Sequence, residues 1–378
     1  MSKRQNRRRF LAGMGLAGIA GLAGCTDQLN DRIGDGRIGS DDVDPAGDDD
    51  FGDDYGDDTE PDEPVDEGNI HSGETIPASP YVQTHSEPVN PIPDPEATNP
   101  VLTAADIPDL NASFVADPFL FVEEDEWYMF FEVLQDGRGR IAYATSDDDG
   151  VSWEYQQIIV NLRHHISFPQ VFKADGNYYM TLQESPRSRP VSLYRANRFP
   201  TDWFRAAELY NPSEHDHGVT DQAIFEWNDR WWSIAGDERR HTYIYYSDEL
   251  ESSGWQPHLD NPVIRDRPAA SRPGGRPIVR DDDILMFFQS QIGGYGMEIT
   301  GSRITELTPT RFTDEIIPAS PLITGTDQLD DNNEPAWNAH RMHHFDPWYL
   351  GEGKGWRIAV DGDDGTDSWK IGIYHVRE

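Results

Sequence analysis

The chain repeats one pattern of apolar and polar positions five times. Each copy is an apolar run, a short polar turn containing Asp, Asn or Gly, and a second run rich in Trp, Tyr and Phe. Two such runs around a polar turn are typical of a β-hairpin. The five copies cover 117–132, 168–184, 221–237, 275–289 and 346–362. A further strand-like segment follows each hairpin, at 139–146, 190–196, 242–248, 296–302 and 370–376.

The spacing of these copies predicts a β-propeller. Their starts fall 51, 53, 54 and 71 residues apart, and the last interval contains an insertion around 314–340. Three to four strands per repeat of about 50 residues, without helical periodicity, are the signature of a propeller blade. We therefore predict an all-β domain at 79–378, a five-bladed β-propeller. The segment 79–113 is expected to wrap its surface and to lend a closing strand to the last blade.

The first 25 residues have the features of an export signal. A basic head with Arg7, Arg8 and Arg9 precedes an apolar stretch at 10–24. The arginines point to the twin-arginine route, and the apolar stretch is shorter than the roughly 20 residues of a transmembrane helix. The segment "LAGC" at 22–25 resembles a lipobox, in which Cys25 would carry the lipid. An uncleaved signal anchor is the alternative.

Residues 26–78 are predicted to form a disordered acidic linker. Between positions 26 and 74 there are 19 Asp and Glu residues against Arg32 and Arg37. Such a segment repels itself and cannot bury enough apolar surface to offset the entropy lost on ordering. The sequence thus predicts an extracellular lipoprotein, anchored to the membrane, whose linker holds the propeller away from the bilayer.

The remaining chain is strongly acidic and poor in lysine. The whole chain has a formal net charge of -38. The only lysines after the linker are Lys173, Lys354 and Lys370. This composition resembles that of proteins from extreme halophiles, whose carboxylates keep them hydrated in concentrated salt. A surface that attracts calcium or a cationic substrate is the alternative. Nucleic acid is excluded as a partner because its phosphates need basic patches. Since Cys25 is the only cysteine, disulfides and thiolate metal sites are excluded too.

Candidate functional residues converge on one face of the predicted propeller. The first strand of each hairpin should line the central channel, so its start and the end of the antiparallel second strand meet on one face. The hairpin starts supply Asp117, Phe168, Asp221, Gly275, Arg276 and Asp346, and the ends supply Glu132, Glu184, Asp237, Gln289 and Asp361. The segments 163–167, 215–220, 271–275 and 340–345 precede four of the starts. Together they predict a polar pocket.

Paired carboxylates suggest hydrolysis of a glycosidic bond, which needs two carboxyl groups on opposite sides of that bond, one as acid and one as base. Asp117 and Asp221, two blades apart, could face each other across the pocket. Alternatively, each Asp only caps a turn or begins a strand. His215 and His217 with Asp221 could hold a divalent metal. A calcium ion in the channel, bound by oxygen ligands, is a further hypothesis without assigned ligands.

These residues resemble two groups of known propellers. One group is the five-bladed glycosidases of glycoside hydrolase family 43. They have a similar Asp-Pro in the first blade, a similar Asp two blades later and a similar spacing of strands. The sequence motifs of this chain are more similar still to those of the N-terminal propeller of glucosamine inositolphosphorylceramide transferases and their microbial relatives. The shared features are "ADPF" at 116–119, His165, Ser167, Pro169, Glu184, Ser185, Asp221, Asp361 and Gly362. This resemblance covers about 100–378.

The resemblance to family 43 implies that Asp117 is the general base and that Asp221 orients and tunes the acid. The family places its acid, a Glu, at the head of the fourth blade, where this chain reads "SRPGGRPI" with Arg272 and Arg276. Glu184 or His340 could substitute for it. The predicted substrate-binding residues are His165, Ser167, Arg272, Arg276, Gln289, His340, His343 and Asp361. The two arginines suggest an anionic ligand, since guanidinium groups bind oxyanions in a bidentate manner.

The sequence thus predicts a cell-surface, carbohydrate-active propeller similar to a glycoside hydrolase. Its expected partners are a carbohydrate or glycoconjugate ligand and, through the lipid anchor, a membrane. A non-catalytic carbohydrate-binding module and an envelope-associated scaffold are the alternatives. The missing fourth-blade Glu favours these alternatives, whereas the co-located carboxylates favour an enzyme.

Overall fold

The computed structural model describes residues 86–378 except 186, 188, 216 and 331. Regular structure there is almost entirely β, with short 3₁₀ helices at Ala104–Asp106 and Pro212–His215. Neither helix in these residues has the length and apolar character that a membrane crossing requires. The predicted export signal at 1–25, including Cys25, and the acidic linker at 26–78 lie outside the described residues and stay predictions.

Each predicted repeat forms its own antiparallel sheet, and the five sheets are the blades of a five-bladed propeller, as predicted. Blade one contains Phe114–Glu123, Glu126–Gln135, Arg138–Ser146 and Glu154–Val160. Blade two contains Ile166–Ala174, Asn177–Glu184, Val191–Arg198 and Asp202–Tyr210. Blade three contains Thr220–Glu226, Trp231–Gly236, Thr242–Ser247 and Gln256–Pro257.

Blade four has an interrupted first strand. It contains Arg272–Pro273, Ile278–Val279, Ile284–Ser290, Glu298–Thr308, Arg311–Ile316 and Ile323–Thr324. Proline cannot donate to a strand ladder, so Pro273 and Pro277 limit the pairing of the first strand. Between them, Gly275 has a φ of +152°, and a Cβ there would lie 1.9 Å from the carbonyl oxygen of Phe345. Only glycine fits where these two blades approach each other.

The N-terminal segment closes blade five. This blade contains Phe345–Tyr349, Trp356–Gly362 and Lys370–Val376, and its outer strand is Ile92–Pro93. Ile92 pairs with His375, about 280 residues later in the chain. The prediction of a closing strand from the segment before the first repeat is therefore confirmed.

The blades are held together by apolar side chains between their faces. Phe121, Phe130 and Met180 are fully buried in the cluster that joins blades one and two. Each such side chain contributes about 1.5–3 kcal/mol through burial. Because the inner strands are covered on both faces, their sequences read as nearly continuous apolar runs.

At the centre of the disc, a buried ion pair ties the first strands of three blades together. The Nε of Arg276 donates to Oδ1 of Asp346 at 2.7 Å, and its guanidinium also donates to the carbonyl oxygen of Leu120. The Leu120 amide donates in turn to Oδ2 of Asp346 at 2.7 Å. Arg276 is 1% exposed. Its predicted role in substrate binding is corrected here: its guanidinium is part of the channel wall and is occupied by Asp346.

Candidate functional site

The first strands of blades one to three share an irregularity on the predicted face. Asp117, Phe168 and Asp221 have φ values of +54°, +53° and +50°. At each of them the pairing with the second strand shifts register, which marks a β-bulge. Residues other than glycine rarely adopt this left-handed conformation, and such outliers cluster at functional sites. Because a bulge re-aims side chains, the Asp117 and Asp221 carboxylates leave the regular alternation of their strands.

Asp117 connects blades one, two and five. Its Oδ2 accepts a hydrogen bond from the amide of Phe168 at 3.2 Å. Its own amide donates to Oδ2 of Asp361 at 3.0 Å, and its Oδ1 lies 3.7 Å from Nδ1 of His344. The carboxylate is therefore held by a backbone hydrogen bond from blade two, and the Asp117 backbone is bonded to blade five.

Asp221 is held in an ion pair. Its Oδ2 accepts from the Nε of Arg272 and, at 2.7 Å, from the Nε2 of Gln289. Its amide donates to Oε1 of Gln183 at 3.1 Å. Burial acts to lower the pKa of Arg272, but the attraction of Asp221 raises that pKa above its ordinary value. The structure thus brings Asp221, Arg272 and Gln289 together, with Arg272 neutralising a carboxylate.

Glu132 joins this group from the second strand of blade one, where it pairs with Ala116, the neighbour of Asp117. It is 5% exposed, and its Oε1 has no hydrogen-bond partner among the described residues. Burial raises the pKa of Glu132 well above its usual range, and the charges of Asp117, Asp221 and Asp361 raise it further.

A neutral imidazole, that of His165, lies beside Glu132. His165 Nε2 lies 3.6 Å from Glu132 Oε1, and His165 Nδ1 accepts from the amide of Gly139 at 2.9 Å. Burial and the charge of Arg187 lower the pKa of His165 to about 4. At neutral pH this ring therefore supplies no positive charge to stabilise an ionised Glu132.

Asp117 and Glu132 differ in how readily they ionise. Burial raises the pKa of Asp117 to about 7, while His343 and Arg272 oppose this shift and Asp221 and Asp361 add to it. All the neighbouring charges that act on Glu132 raise its pKa. Two carboxyl groups in one buried site resist ionising together. Asp117, which also accepts an amide hydrogen bond, should ionise first, and Glu132 should retain the proton.

Asp361 and His343 form a second charged pair beside Asp117. His343 Nδ1 lies 2.7 Å from Asp361 Oδ1, and the His343 ring stacks on Trp369 with centroids 3.9 Å apart. Burial opposes charge on both groups, but their attraction raises the pKa of His343 and lowers that of Asp361. The geometry is that of an imidazolium bonded to a carboxylate.

Asp117, His343 and Asp361 could also offer ligands to a metal, because one donor atom from each lies within 4.8 Å of the others. One imidazole and two carboxylates are typical of zinc or another first-row ion, whereas calcium prefers six to eight oxygen ligands. These donors therefore do not favour the predicted calcium ion. A metal here would also have to displace the hydrogen bond between His343 and Asp361.

The hypothesis of a metal bound by His215, His217 and Asp221 is not supported by the geometry. The His217 ring stacks on Tyr243 with centroids 3.7 Å apart, and its Nε2 lies 2.9 Å from the Tyr245 hydroxyl. Asp221 is bonded to Arg272 instead. His215 ends the 3₁₀ helix Pro212–His215, and His217 packs against the third strand of blade three.

Glu184, predicted as the acid, lies apart from this cluster. Its carboxylate is bonded to His164 at 2.7 Å and to the Tyr194 hydroxyl at 3.0 Å. Ser167 pairs with Gln183, as Ala116 pairs with Glu132, so Gln183 is the counterpart of Glu132. Since side chains alternate along a strand, Glu184 faces away from Gln183 and from Asp221, to which Gln183 is bonded. Its predicted position is corrected by one residue.

Two other predicted substrate-binding residues differ in exposure. Ser167 is buried beside the bulge of blade two. His340 is exposed, and its amide donates to the carbonyl oxygen of Asp363 at 2.9 Å, on the rim of blade five. Of these two, His340 is the one with surface to offer a ligand.

We expect Asp117→Asn to stabilise the protein at pH 8 and to have little effect near pH 4. The Asp117 pKa of about 7 in the folded protein exceeds its ordinary 3.8. Between these values the folded state binds a proton that the unfolded state releases, so stability falls as pH rises through 7. Asn mimics the neutral acid at every pH and should add roughly 2–4 kcal/mol to the free energy of unfolding at pH 8.

Urea denaturation of the Asp117→Asn variant across this pH range, with the exposed Asp147→Asn as control, measures the difference. A gain of equal size at both pH values would contradict the assignment.

The chain is similar to known proteins in sequence and in fold. A family model described as glucosamine inositolphosphorylceramide transferase 1, N-terminal, matches residues 79–363. Glucosamine inositolphosphorylceramide transferase 1 of Oryza sativa subsp. japonica is 32% identical over 277 residues, which are 70% of this chain and 35% of that protein. The chain thus spans about a third of the length of this relative.

Solved structures share the fold. The catalytic domain of a Coprinopsis cinerea GH62 α-L-arabinofuranosidase is similar with a TM-score of 0.54 at 11% identity, over 70% of this chain and 91% of that chain. A thermostable family-43 glycoside hydrolase is similar with a TM-score of 0.51 at 13% identity, over 70% and 90% of the two chains. The predicted likeness to glycosidase propellers is confirmed at the level of the fold.

Proposed function

The chain belongs to the glucosamine inositolphosphorylceramide transferase 1 N-terminal family, and from this premise we propose that it is a carbohydrate-active propeller that hydrolyses a glycosidic bond. One observation carries the proposal. Asp117 and Glu132 are buried side by side in one hairpin, and both have a raised pKa. Paired carboxyls of unequal acidity are what acid and base catalysis of glycoside cleavage requires.

In this proposal Glu132 is the acid and Asp117 is the base. Glu132 donates its proton to the glycosidic oxygen as the bond from that oxygen to the anomeric carbon breaks. Water attacks the anomeric carbon, and Asp117 accepts the proton that the water loses. Exchange with solvent then returns one proton to Glu132 and removes one from Asp117. The role of Asp117 is the one that the resemblance to family 43 implies, whereas Glu132 replaces the absent Glu of blade four.

Asp221 would tune this pair without entering the reaction. Its charge raises the pKa of both Asp117 and Glu132. Its bonds to Arg272 and Gln289 fix the carboxylate in place. This arrangement supports the predicted role of Asp221 as the residue that orients and tunes the acid.

The cellular setting is part of the proposal and is supported by the first 78 residues. Arg7, Arg8 and Arg9 with the apolar stretch support export by the twin-arginine route, and Cys25 supports a lipid anchor. The net charge of -38 supports an extracellular protein of a halophile and argues against nucleic acid as a partner. The ligand would be a carbohydrate or glycoconjugate near the membrane surface.

A non-catalytic carbohydrate-binding module is the second candidate. It is favoured by Arg272, which stands near the head of blade four where family 43 has its acid and which neutralises Asp221. It is also favoured by the short match to the relative, a transferase. Only 35% of that protein matches this chain, so its transferase activity could lie in the rest of its length. In that case the polar cluster would bind glycan hydroxyls without cleaving them.

Product formation in molar KCl tests the proposal. The full chain and its Asp117→Asn variant are incubated with a panel of neutral and acidic glycans, with Asp147→Asn as a matched surface control. Hydrolysis predicts product from the wild type and from the control, and none from Asp117→Asn. Saturable glycan binding without product would establish the binding module. Absence of both product and affinity would leave the envelope-associated scaffold.

A further inference from the structure

Blade three carries a cavity of about 500 Å³, and no residue of the Asp117 cluster lines it. It lies between the strand Thr242–Ser247 and the segment 257–265. None of its described lining residues is acidic, although the chain has a net charge of -38. Six of the lining residues are imidazole or guanidinium side chains: His215, His217, Arg239, His241, His258 and Arg265. A lining rich in such donors, without an acidic side chain among its described residues, points to a ligand of negative charge.

The wall of this cavity is rigid. The His217 ring stacks on Tyr243, and the Tyr245 ring stacks on Tyr210 with centroids 3.8 Å apart. The Asn261 side chain is bonded to both backbone groups of Ile244, at 2.7 and 2.9 Å. A wall fixed by stacking and backbone hydrogen bonds loses little conformational entropy when a ligand binds.

His258 supplies a buried donor that lacks a partner. It is 2% exposed, and its Nδ1 accepts from the amide of Asp260 at 3.1 Å. In a neutral ring this bond places the hydrogen on Nε2, and Nε2 has no hydrogen-bond partner among the described residues. An unsatisfied buried donor costs about 1–3 kcal/mol, so a ligand acceptor at this position would be favoured.

Two guanidinium groups stand at the exposed rim. Arg239 is held by Asp237 at 3.0 Å and by the Tyr243 hydroxyl at 3.0 Å, so its position is set. Arg265 donates to the carbonyl oxygen of Asp260 at 3.4 Å and is otherwise exposed. Arg272 and Arg276 of the channel are also bonded to carboxylates, but their side chains are only 13% and 1% exposed, whereas that of Arg239 is 60% exposed. The predicted anionic ligand therefore fits the cavity of blade three better than the channel.

We propose that this cavity binds a sugar-sized ligand through an oxyanion, either a phosphate or a carboxylate. His258 Nε2 donates from the interior, and Arg265 and Arg239 donate from the rim. Guanidinium groups match phosphate and carboxylate oxygens in a bidentate manner, and the volume suits a monosaccharide derivative. This site is separate from the carboxylate cluster and does not depend on hydrolysis there.

Calorimetry on the full chain with glucose 6-phosphate, glucuronate and glucose tests the proposal. The titrations are made in molar KCl, which screens attraction between exposed charges that are not in contact. We expect at least one acidic sugar to bind saturably and glucose to bind at least tenfold more weakly. The tighter of the two acidic sugars identifies the oxyanion.

Two variants link the binding to this cavity. His258→Asn keeps a side-chain acceptor for the Asp260 amide and removes the Nε2 donor, and Arg265→Gln removes a surface charge without endangering the fold. Each should weaken binding of the acidic sugar at least tenfold. The exposed Arg311→Gln on blade four and Glu132→Gln in the channel should leave the affinity unchanged. The proposal is overturned if neither acidic sugar binds, if glucose binds equally well, or if Glu132→Gln abolishes binding that both cavity variants retain.

Discussion

Replacing Glu132 by Gln is expected to lower turnover of glycans by about 10²- to 10⁴-fold, the usual contribution of a general acid. Gln preserves the shape of the side chain and can donate a hydrogen bond, but it cannot transfer a proton to the departing oxygen. Aryl glycosides with acidic phenol leaving groups need no such proton, so the variant should retain most of its activity on them. Turnover of both substrate types across a range of pH measures this split.

The matched control for this prediction is Glu184→Gln. The Glu184 carboxylate is bonded to His164 and Tyr194 and faces away from Gln183. Its replacement should change turnover far less than Glu132→Gln and should not discriminate between leaving groups. If Glu184→Gln abolished turnover while Glu132→Gln stayed active, the acid would be the residue first predicted from the sequence.

Arg276→Met is expected to destabilise the propeller by about 3–5 kcal/mol, because it leaves a buried charge without its partner. Asp346 is fully buried, and its carboxylate would retain only hydrogen bonds from backbone amides, those of Leu120 and of residue 276. Domains of this kind are stable by about 5–15 kcal/mol, so the loss is a large fraction of the total. Urea denaturation at constant KCl measures the change.

Two further variants separate the ion pair from packing. The exposed Arg311→Met should change stability by less than about 0.5 kcal/mol. Arg276→Met combined with Asp346→Leu should recover part of the loss, since an apolar pair of similar volume replaces the uncompensated charge. If Arg276→Met alone were nearly neutral, the central pair would contribute little to holding the first strands together.

The blades could be predicted because the strands of each hairpin are marked by a local sequence pattern. Apolar runs separated by polar turns at regular spacing mark strands whatever their partners are. The closing strand could be anticipated because five hairpins leave an open edge that the preceding segment can cover. Its pairing of Ile92 with His375 is confirmed in the structure.

The counterpart of Glu132 in blade two was missed for another reason. The two blades have the same bulge, and Ser167 pairs with Gln183 as Ala116 pairs with Glu132. The second repeat was matched to the first through the acidic Glu184, one residue too late. A shift of one residue turns a side chain to the other face of its strand, so the sequence pattern placed Glu184 on the wrong face.

Pairings between blades were hidden for a different reason. Arg276 and Asp346 are 70 residues apart and meet because blades four and five pack side by side. The sequence therefore assigned Arg276 to the ligand pocket. Glu132 was visible as a strand end beside Asp117, but its raised pKa depends on burial and on the charges of Asp221 and Asp361, which only the folded protein brings close.

The protonation of Glu132 in the resting protein tests the central claim most directly. Infrared difference spectra of wild type against Glu132→Gln at pH 8, where Asp117 is ionised, report whether this side chain is a carboxylic acid or a carboxylate. The account predicts a carboxylic-acid carbonyl band in the wild type that the variant lacks and that Glu184→Gln retains. Loss of only a carboxylate band in Glu132→Gln would show that Glu132 is ionised at rest, and the assignment of acid and base to this pair would then be wrong.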